Sequence, residues 1–288
     1  MSHSGTLYVV ATPIGNLQDI TLRALEVLKA VDLIAAEDTR HTGHLLAHFG
    51  IRKKLLAVHE HNETKAAAQL VARLQAGESV ALVTDAGTPG ISDPGAVAVK
   101  SCHEAGIAVV PVPGPSAVIT ALSVAGTAAP GFVFCGFLPA SAAQRKRKLE
   151  ELKLQDFALV FYEAPHRVEA CLHDMVDILG PDRTLVVARE LTKTFETLHR
   201  GPLGQTLDWL KGDANQQRGE FVLVVEPAPP VEVPAVNEEA VRVIKLLMAE
   251  VPLKQAVKLA AEITGAKKNA LYDYALQLQG SNQPENHE

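Results

Sequence analysis

Glycine and proline crowd the segment LVTDAGTPGISDPG, Leu82 to Gly95, where Gly87, Gly90 and Gly95 alternate with Pro89 and Pro94. A chain this tightly turned and free of bulky side chains can lay backbone amides and carbonyls directly against a ligand. No Gly-Lys-Ser/Thr follows, so it is not a P-loop, and it lacks the GxGxxG dinucleotide spacing. The turn TPIGN carries only Gly15 and fails the same test. A pair of ordinary surface turns is the competing reading. His41, His44 and His48 recur at helical spacing, and His59 and His61 follow in HEHN. A metal site is conceivable there, but the sequence has no HExxH and the first three flank an apolar LLAHF helix, which favours surface or partner-facing histidines and no metal. HEHN can also hydrogen-bond phosphate or base edges. Cys102, Cys135 and Cys171 form no CxxC pair, so they read as free, buried thiols.

The elements that position these loops follow from periodicity. β-branched runs alternate with amphipathic stretches from Thr6 onward, the pattern of βα units feeding a parallel sheet. Strands are expected at Thr6–Ala11, Asp32–Glu37 and Ser79–Thr84 and in IAVVPV, with helices from Asp19 as N-cap to Ala30, from Glu63 to Gly77 and from Gly95 to just before Gly106. The glycine-rich loop and the loop PGPSA both leave the C-terminal end of a strand, where open α/β sheets bind ligands. GTAAPG, Gly126 to Gly131, breaks the helix after Ser116 and marks a domain boundary. Beyond it, strands are expected at Ala158–Glu163, Thr184–Glu190 and Glu220–Glu226, with helices from Pro165 and Leu203.

The fold class is α/β, with two α/β domains at 1–127 and 128–228, a proline-rich linker at 229–236, a helical unit at 237–280 and a disordered tail at 281–288. In the helical unit two helices meet at a turn at Thr264 and Gly265, the second opening with Lys267 and Lys268. At 288 residues and 47% hydrophobic, the chain can bury this much core. No apolar run approaches the roughly 18 residues of a membrane helix, and MSHSGTLYVVATPIG lacks the regions of a signal peptide, so a soluble, cytoplasmic protein is expected. A net charge of -6 excludes a protein coated in positive potential, so any nucleic-acid contact is local. Its candidates are the run QRKRK, Gln144 to Lys148, which is equally a solvated helix face, and Lys254, Lys258, Lys267 and Lys268.

Six segments taken together, ATPIGNLQDIT, AEDTRHT, VTDAGTPGISDPG, VPVPGPSAV, FYEAPHR and ARELTKTFE, resemble the tetrapyrrole methylase, or class III methyltransferase, family, and most nearly its members that modify ribosomal RNA. The resemblance runs from about Thr6 into the terminal helical unit. It implies a homodimer that binds S-adenosylmethionine (SAM) in a cleft between two α/β domains and methylates the ribose 2'-hydroxyl of a cytidine in the decoding region of small-subunit rRNA, with no membrane or DNA partner. It places Pro13 under the cofactor and lines the methionine and ribose portion with Ala86, Gly87, Thr88 and Ile91. Ser116 and Ala117 come from the PGPSA turn, and Glu163 and Gly201 approach the adenine side. Thr88 stands where tetrapyrrole-acting members often carry Asp in a GGDP loop. The terminal helices resemble a helix-turn-helix that docks substrate.

SAM is an electrophile that needs no protein nucleophile, so such an enzyme aligns an acceptor and manages one proton. A ribose hydroxyl is a weak acid. The groups able to assist it are Lys193, Glu190 and Glu196 in ARELTKTFE, and Glu37, Asp38 and Arg40 in AEDTR. Lys193 serves either as a base with a lowered pKa or as a cation facing the alkoxide, unless it is a phosphate contact or solvated lysine. Glu37, Asp38 and Arg40 can equally be a structural ion pair. A tetrapyrrole methyltransferase and a non-catalytic, SAM-binding ribosome assembly factor stand as alternatives.

Overall fold

A computed structural model describes residues 5–59, 61–229 and 236–280. The chain divides into two compact units, Met1–Ala228 and Pro229–Glu288. The first opens with β1 (Thr6–Val10), α1 (Leu22–Ala30), β2 (Leu33–Ala36), α2 (Thr39–His48), β3 (Lys54–Ala57), α3 (Glu63–Gln75), β4 (Val80–Val83), α4 (Ala96–Glu104), β5 (Ala108–Val112) and α5 (Ala117–Ala125). The five strands form a parallel sheet ordered β3-β2-β4-β1-β5. Alternate strand residues point to opposite faces. Leu7, Leu33, Val80 and Leu82 therefore pack against Leu70 and Leu74 of α3 and Cys102 of α4, while Val10, Ile34, Ala81 and Val83 pack against Ala24 and Leu28 of α1 and Leu46 of α2. β4 returns between β2 and β1, and the next crossover carries the chain past β1 to β5. The exits of β1 and β4 thus sit side by side where the connections diverge, the place where such sheets open a crevice.

The chain continues through β6 (Phe132–Phe137), α6 (Ala142–Leu152), β7 (Ala158–Glu163), α7 (Val168–Leu179), β8 (Thr184–Arg189), β9 (Thr197–Pro202), α8 (Leu203–Gly212) and β10 (Phe221–Val225). This second sheet is ordered β6-β7-β10-β8-β9; β6 and β7 are parallel and the other pairs antiparallel. FVLVV of β10 is buried along its whole length because both faces are covered. Leu149, Leu172, Met175 and Leu207, from α6, α7 and α8, cover one face. The other receives α5 of the first half, whose Val118, Ala121 and Ala125 meet Val160, Val186, Val222 and Val224.

Several expectations change. Asp19 does not cap α1: Asn16 caps a short turn at Leu17–Asp19, and the Thr21 hydroxyl then accepts from the Ala24 amide at 3.1 Å, starting the helix later. The edge strands β3 and β9 are additions, polar or short enough to show no clean alternation. QRKRK is not a uniformly solvated face, and each of its cations has an acidic partner within the chain. Arg145 is buried on Asp174 at 2.6 Å, Lys146 reaches Asp177 at 2.7 Å, and Arg147 and Lys148 both pair with Glu151.

In the second unit, α9 (Glu238–Glu250), α10 (Leu253–Thr264) and α11 (Lys268–Gly280) enclose Ala240, Ile244, Val257, Ala260, Leu271 and Ala275. Gly265 ends α10 in the left-handed conformation, where the turn was expected, and α9 is a third helix beyond that pair. Most of the proposed linker and the whole tail lie outside the described residues. No helix among the described residues is long and apolar enough to cross a membrane.

Removing one partner of a buried ion pair strands the other charge. Asp174→Ala is therefore expected to destabilise the chain by about 3–5 kcal/mol in urea unfolding, and a drop under about 1 kcal/mol would show that Arg145 finds water instead.

Candidate active site

The loops leaving β1, β4 and β5 are tied together by their own backbones. Thr12 and Gly87 exchange amide-to-carbonyl bonds of 2.9 and 3.0 Å, and the buried Thr12 hydroxyl donates to the Thr84 carbonyl at 3.0 Å. Thr88 donates to the Pro115 carbonyl at 3.1 Å, fixing the PGPSA turn to the same loop. Gly87 takes φ +82°, which an L side chain rarely adopts. The far end of the loop is held from α3, where Glu63 Oε1 accepts from the Gly95 and Val97 amides at 2.8 and 3.1 Å and caps α4.

These loops face the second sheet across a cavity of about 440 Å³, a size suited to a cofactor. Of the residues named from sequence, Ala86, Gly87, Thr88, Ile91, Ser116, Ala117 and Glu163 all line it. Pro13 does not: it is buried one residue before Ile14, which supplies the wall in its place. Gly201 does not either, because it lies on the edge strand β9, while the wall draws on β7, β8 and β10 through Glu163, Ala188, Phe221 and Val222. Lys193, Glu190, Glu196, Glu37 and Arg40 are all absent from the wall.

Sequence reasoning missed Asp93, Phe137, Tyr162 and Glu220, which do line the cavity. Asp93 stood inside the quoted loop and could have been found as its only carboxylate beyond Asp85. Burial pushes its pKa up to about 6, and Glu37 and Asp85 add like-charge repulsion. Phe137 follows a register shift in β6 at which Gly136 takes φ +63°, and its ring lies 5.7 Å from that of Tyr162.

The two candidate acid-base groups occupy different places. At the end of β2, Glu37 Oε2 accepts from the Thr84 hydroxyl at 2.7 Å, and the Asp38 amide donates to Asp85 at 3.1 Å. Arg40 is exposed and forks onto Asp38, whose carboxyl it holds well below the usual range. Of the three AEDTR candidates, Asp38 and Arg40 pair at the surface, and Glu37 stands outside the pair.

In ARELTKTFE, Lys193 Nζ lies 2.9 Å from both Glu190 Oε1 and Glu220 Oε2. Burial alone would lower its pKa, but the bonds from the two carboxylates outweigh that and raise it. Lys193 is therefore an ammonium, not a free base, and Glu220 carries its network to the cavity. Glu196 Oε2 accepts from the Thr192 amide at 2.6 Å and closes the loop on itself. The first strand's loop docks here: the Asn16 amide donates to Thr192 Oγ1 at 3.1 Å, and a Cβ on Gly15 would stand 2.5 Å from Lys193 Cγ.

Among known proteins, the model of the tetrapyrrole (corrin/porphyrin) methylases matches residues 6–207, and that of the RsmI C-terminal HTH domain matches residues 234–279. The chain is 56% identical to ribosomal RNA small subunit methyltransferase I of Escherichia coli O157:H7 over 96% of each chain. It is 55% identical to the Pseudomonas aeruginosa protein of the same name, covering 96% of this chain and 99% of that one. A solved uroporphyrin-III C-methyltransferase from Thermus thermophilus, complexed with S-adenosyl homocysteine, shares the fold at a TM-score of 0.53 and 18% identity, covering 77% of this chain and 97% of that one.

A carboxyl whose pKa is higher folded than unfolded favours folding at acidic pH and opposes it as pH rises through the folded value. Asp93→Asn removes that penalty. In ligand-free protein it is expected to raise stability by about 1 kcal/mol near pH 8, discounted for solvent screening, and to leave it unchanged at about pH 4. Melting temperatures of the two proteins across pH read this; parallel curves would show that burial does not raise the pKa of Asp93.

Proposed function

The chain belongs to the tetrapyrrole methylase family, and from that premise we propose that it is a SAM-dependent methyltransferase acting on the ribose 2'-hydroxyl of a cytidine in the decoding region of small-subunit (16S) rRNA. The observation that carries this is identity above one half with ribosomal RNA small subunit methyltransferase I along nearly the whole chain, the terminal helical unit included. The likeness to uroporphyrin-III methyltransferase supports the fold alone.

The cavity fits the cofactor. SAM supplies a methyl group on a cationic sulfonium, flanked by an ammonium. Asp93 offers a carboxylate whose charge burial opposes and a bound cation would favour, and Ile14, Ile91 and Leu191 offer apolar wall. Ala86, Gly87 and Thr88, with Ser116 and Ala117, present close backbone because the Thr12–Gly87 and Thr88–Pro115 bonds hold their turns open. Pro13 contributes by fixing the backbone that aims Ile14. Glu163, buried with Oε2 unpartnered, is assigned to the adenine side, and Gly201 to its periphery.

On the acceptor side, Lys193 holds Glu220 at the rim and stabilises negative charge developing on the ribose oxygen. Glu190 and Glu196 keep that loop in place, while Glu37 and Arg40 brace the end of β2. The terminal unit docks RNA through Lys254, Lys258, Lys267 and Lys268. The enzyme works in the cytoplasm and as a homodimer; the exposed apolar side chains Ile119, Val124, Phe132 and Val133 support the dimer.

Incubation with labelled SAM and, separately, small subunits, naked rRNA or a porphyrinoid is expected to label a cytidine ribose in the subunits; label on the porphyrinoid would overturn the proposal. Lys193→Ala is expected to cut turnover about a hundredfold with SAM affinity unchanged. Full turnover in that variant would remove Lys193 from the chemistry.

A further inference from the structure

In α9 the first turn follows the electrostatic rule for helices. Asn237 accepts from the Ala240 amide at 2.8 Å, and Glu238 and Glu239 face the partial positive charge of the helix start. The next two helices break that rule. Neither α10 nor α11 has an acidic residue in its first turn; each carries a lysine there instead, Lys254 and Lys268. Both are exposed and neither has an ion-pair partner among the described residues, whereas Lys258 pairs with Glu262 at 3.9 Å. Cations at two helix starts cost stability unless an anion neutralises them, and local violations of this kind mark sites of function.

The same two lysines stand on one cavity of about 330 Å³, whose remaining wall is Val257, Asn269, Tyr272 and Asp273. Val257 is buried and belongs to the helical core, so it forms an apolar base; Tyr272 is half-buried and packs against that core. A simple anion hole would need neither an aromatic ring nor a carboxylate. Asp273 repels phosphate and accepts hydrogen bonds, and Asn269 both donates and accepts, as reading a base edge requires.

We propose that this cavity binds one unpaired nucleotide of the substrate RNA, its phosphate between Lys254 and Lys268, its base against the Tyr272 ring, and its edge at Asn269 and Asp273. The inference rests on the rRNA reading for the identity of the polyanion, and it adds a site and a strandedness to it. Stacking on an aromatic ring tolerates any base, and a base paired in a duplex has no free face to offer.

The test uses the full chain and a fluorescent single-stranded RNA oligonucleotide, with an abasic oligonucleotide of the same length as the second probe. Lys254→Ala/Lys268→Ala is expected to weaken binding of both about tenfold and to lower the slope of log affinity against log salt by about 0.7 for each phosphate that is no longer neutralised. Tyr272→Ala is expected to weaken the base-bearing oligonucleotide about tenfold and the abasic one hardly at all, with Tyr272→Phe behaving as wild type. Circular dichroism checks folding; should Tyr272→Ala unfold, the lysine pair and the abasic comparison on wild type still decide. Wild-type affinity in the lysine double variant, equal affinity of wild type for the two probes, or tighter binding of an acidic peptide than of RNA would each overturn the proposal. Binding needs no methyl transfer. Loss of transfer with these differences intact would sink the enzymatic reading alone, and intact transfer with none of them would sink this one.

Discussion

Two sheets with different connection rules meet along α5, and the apolar contact of Val118, Ala121 and Ala125 with the second sheet holds the site in existence. The parallel sheet delivers glycine- and proline-rich strand exits, and the mixed sheet delivers a flat wall of β7, β8 and β10. Neither makes a cavity alone. Ile14 belongs to the same apolar joint and also lines the cavity, so the packing that fastens the two halves is continuous with the surface that receives the ligand.

Backbone strain gathers around that surface. Three residues other than glycine adopt positive φ among the described residues, Ser92, Glu190 and Thr192. Such conformations cost of order 1–3 kcal/mol each and persist only where the surroundings over-determine them. Ser92 lines the cavity; Glu190 grips Lys193 and the Glu220 amide; Thr192 receives the Asn16 amide. Gly219 completes the arrangement, since a Cβ there would stand 2.4 Å from Glu190 Cγ.

What could be read beforehand was whatever a single segment encodes. The buried strands announced themselves by β-branched runs and the ligand-facing loops by glycine and proline, while of the nine contacts that the family resemblance implied, seven stand on the cavity wall. What escaped depended on pairing between distant segments. Glu220 faces the cavity because β10 lies between β7 and β8, a fact of register, and Gly201 misses it because β9 is an edge. Asp19 looked like a cap until Asn16 captured the preceding turn. The basic run QRKRK hid a buried arginine, since its partner Asp174 lies on another helix.

The close approach of Gly15 to Lys193 has a mechanical consequence. Any side chain at position 15 would collide with Lys193 Cγ and Thr192 Oγ1, so the two loops cannot drift independently. A change in the turn after β1 is felt at the far end of β8. Position 15 and the loop that carries Lys193 are therefore one mechanical unit, although the two residues stand 178 positions apart in the sequence.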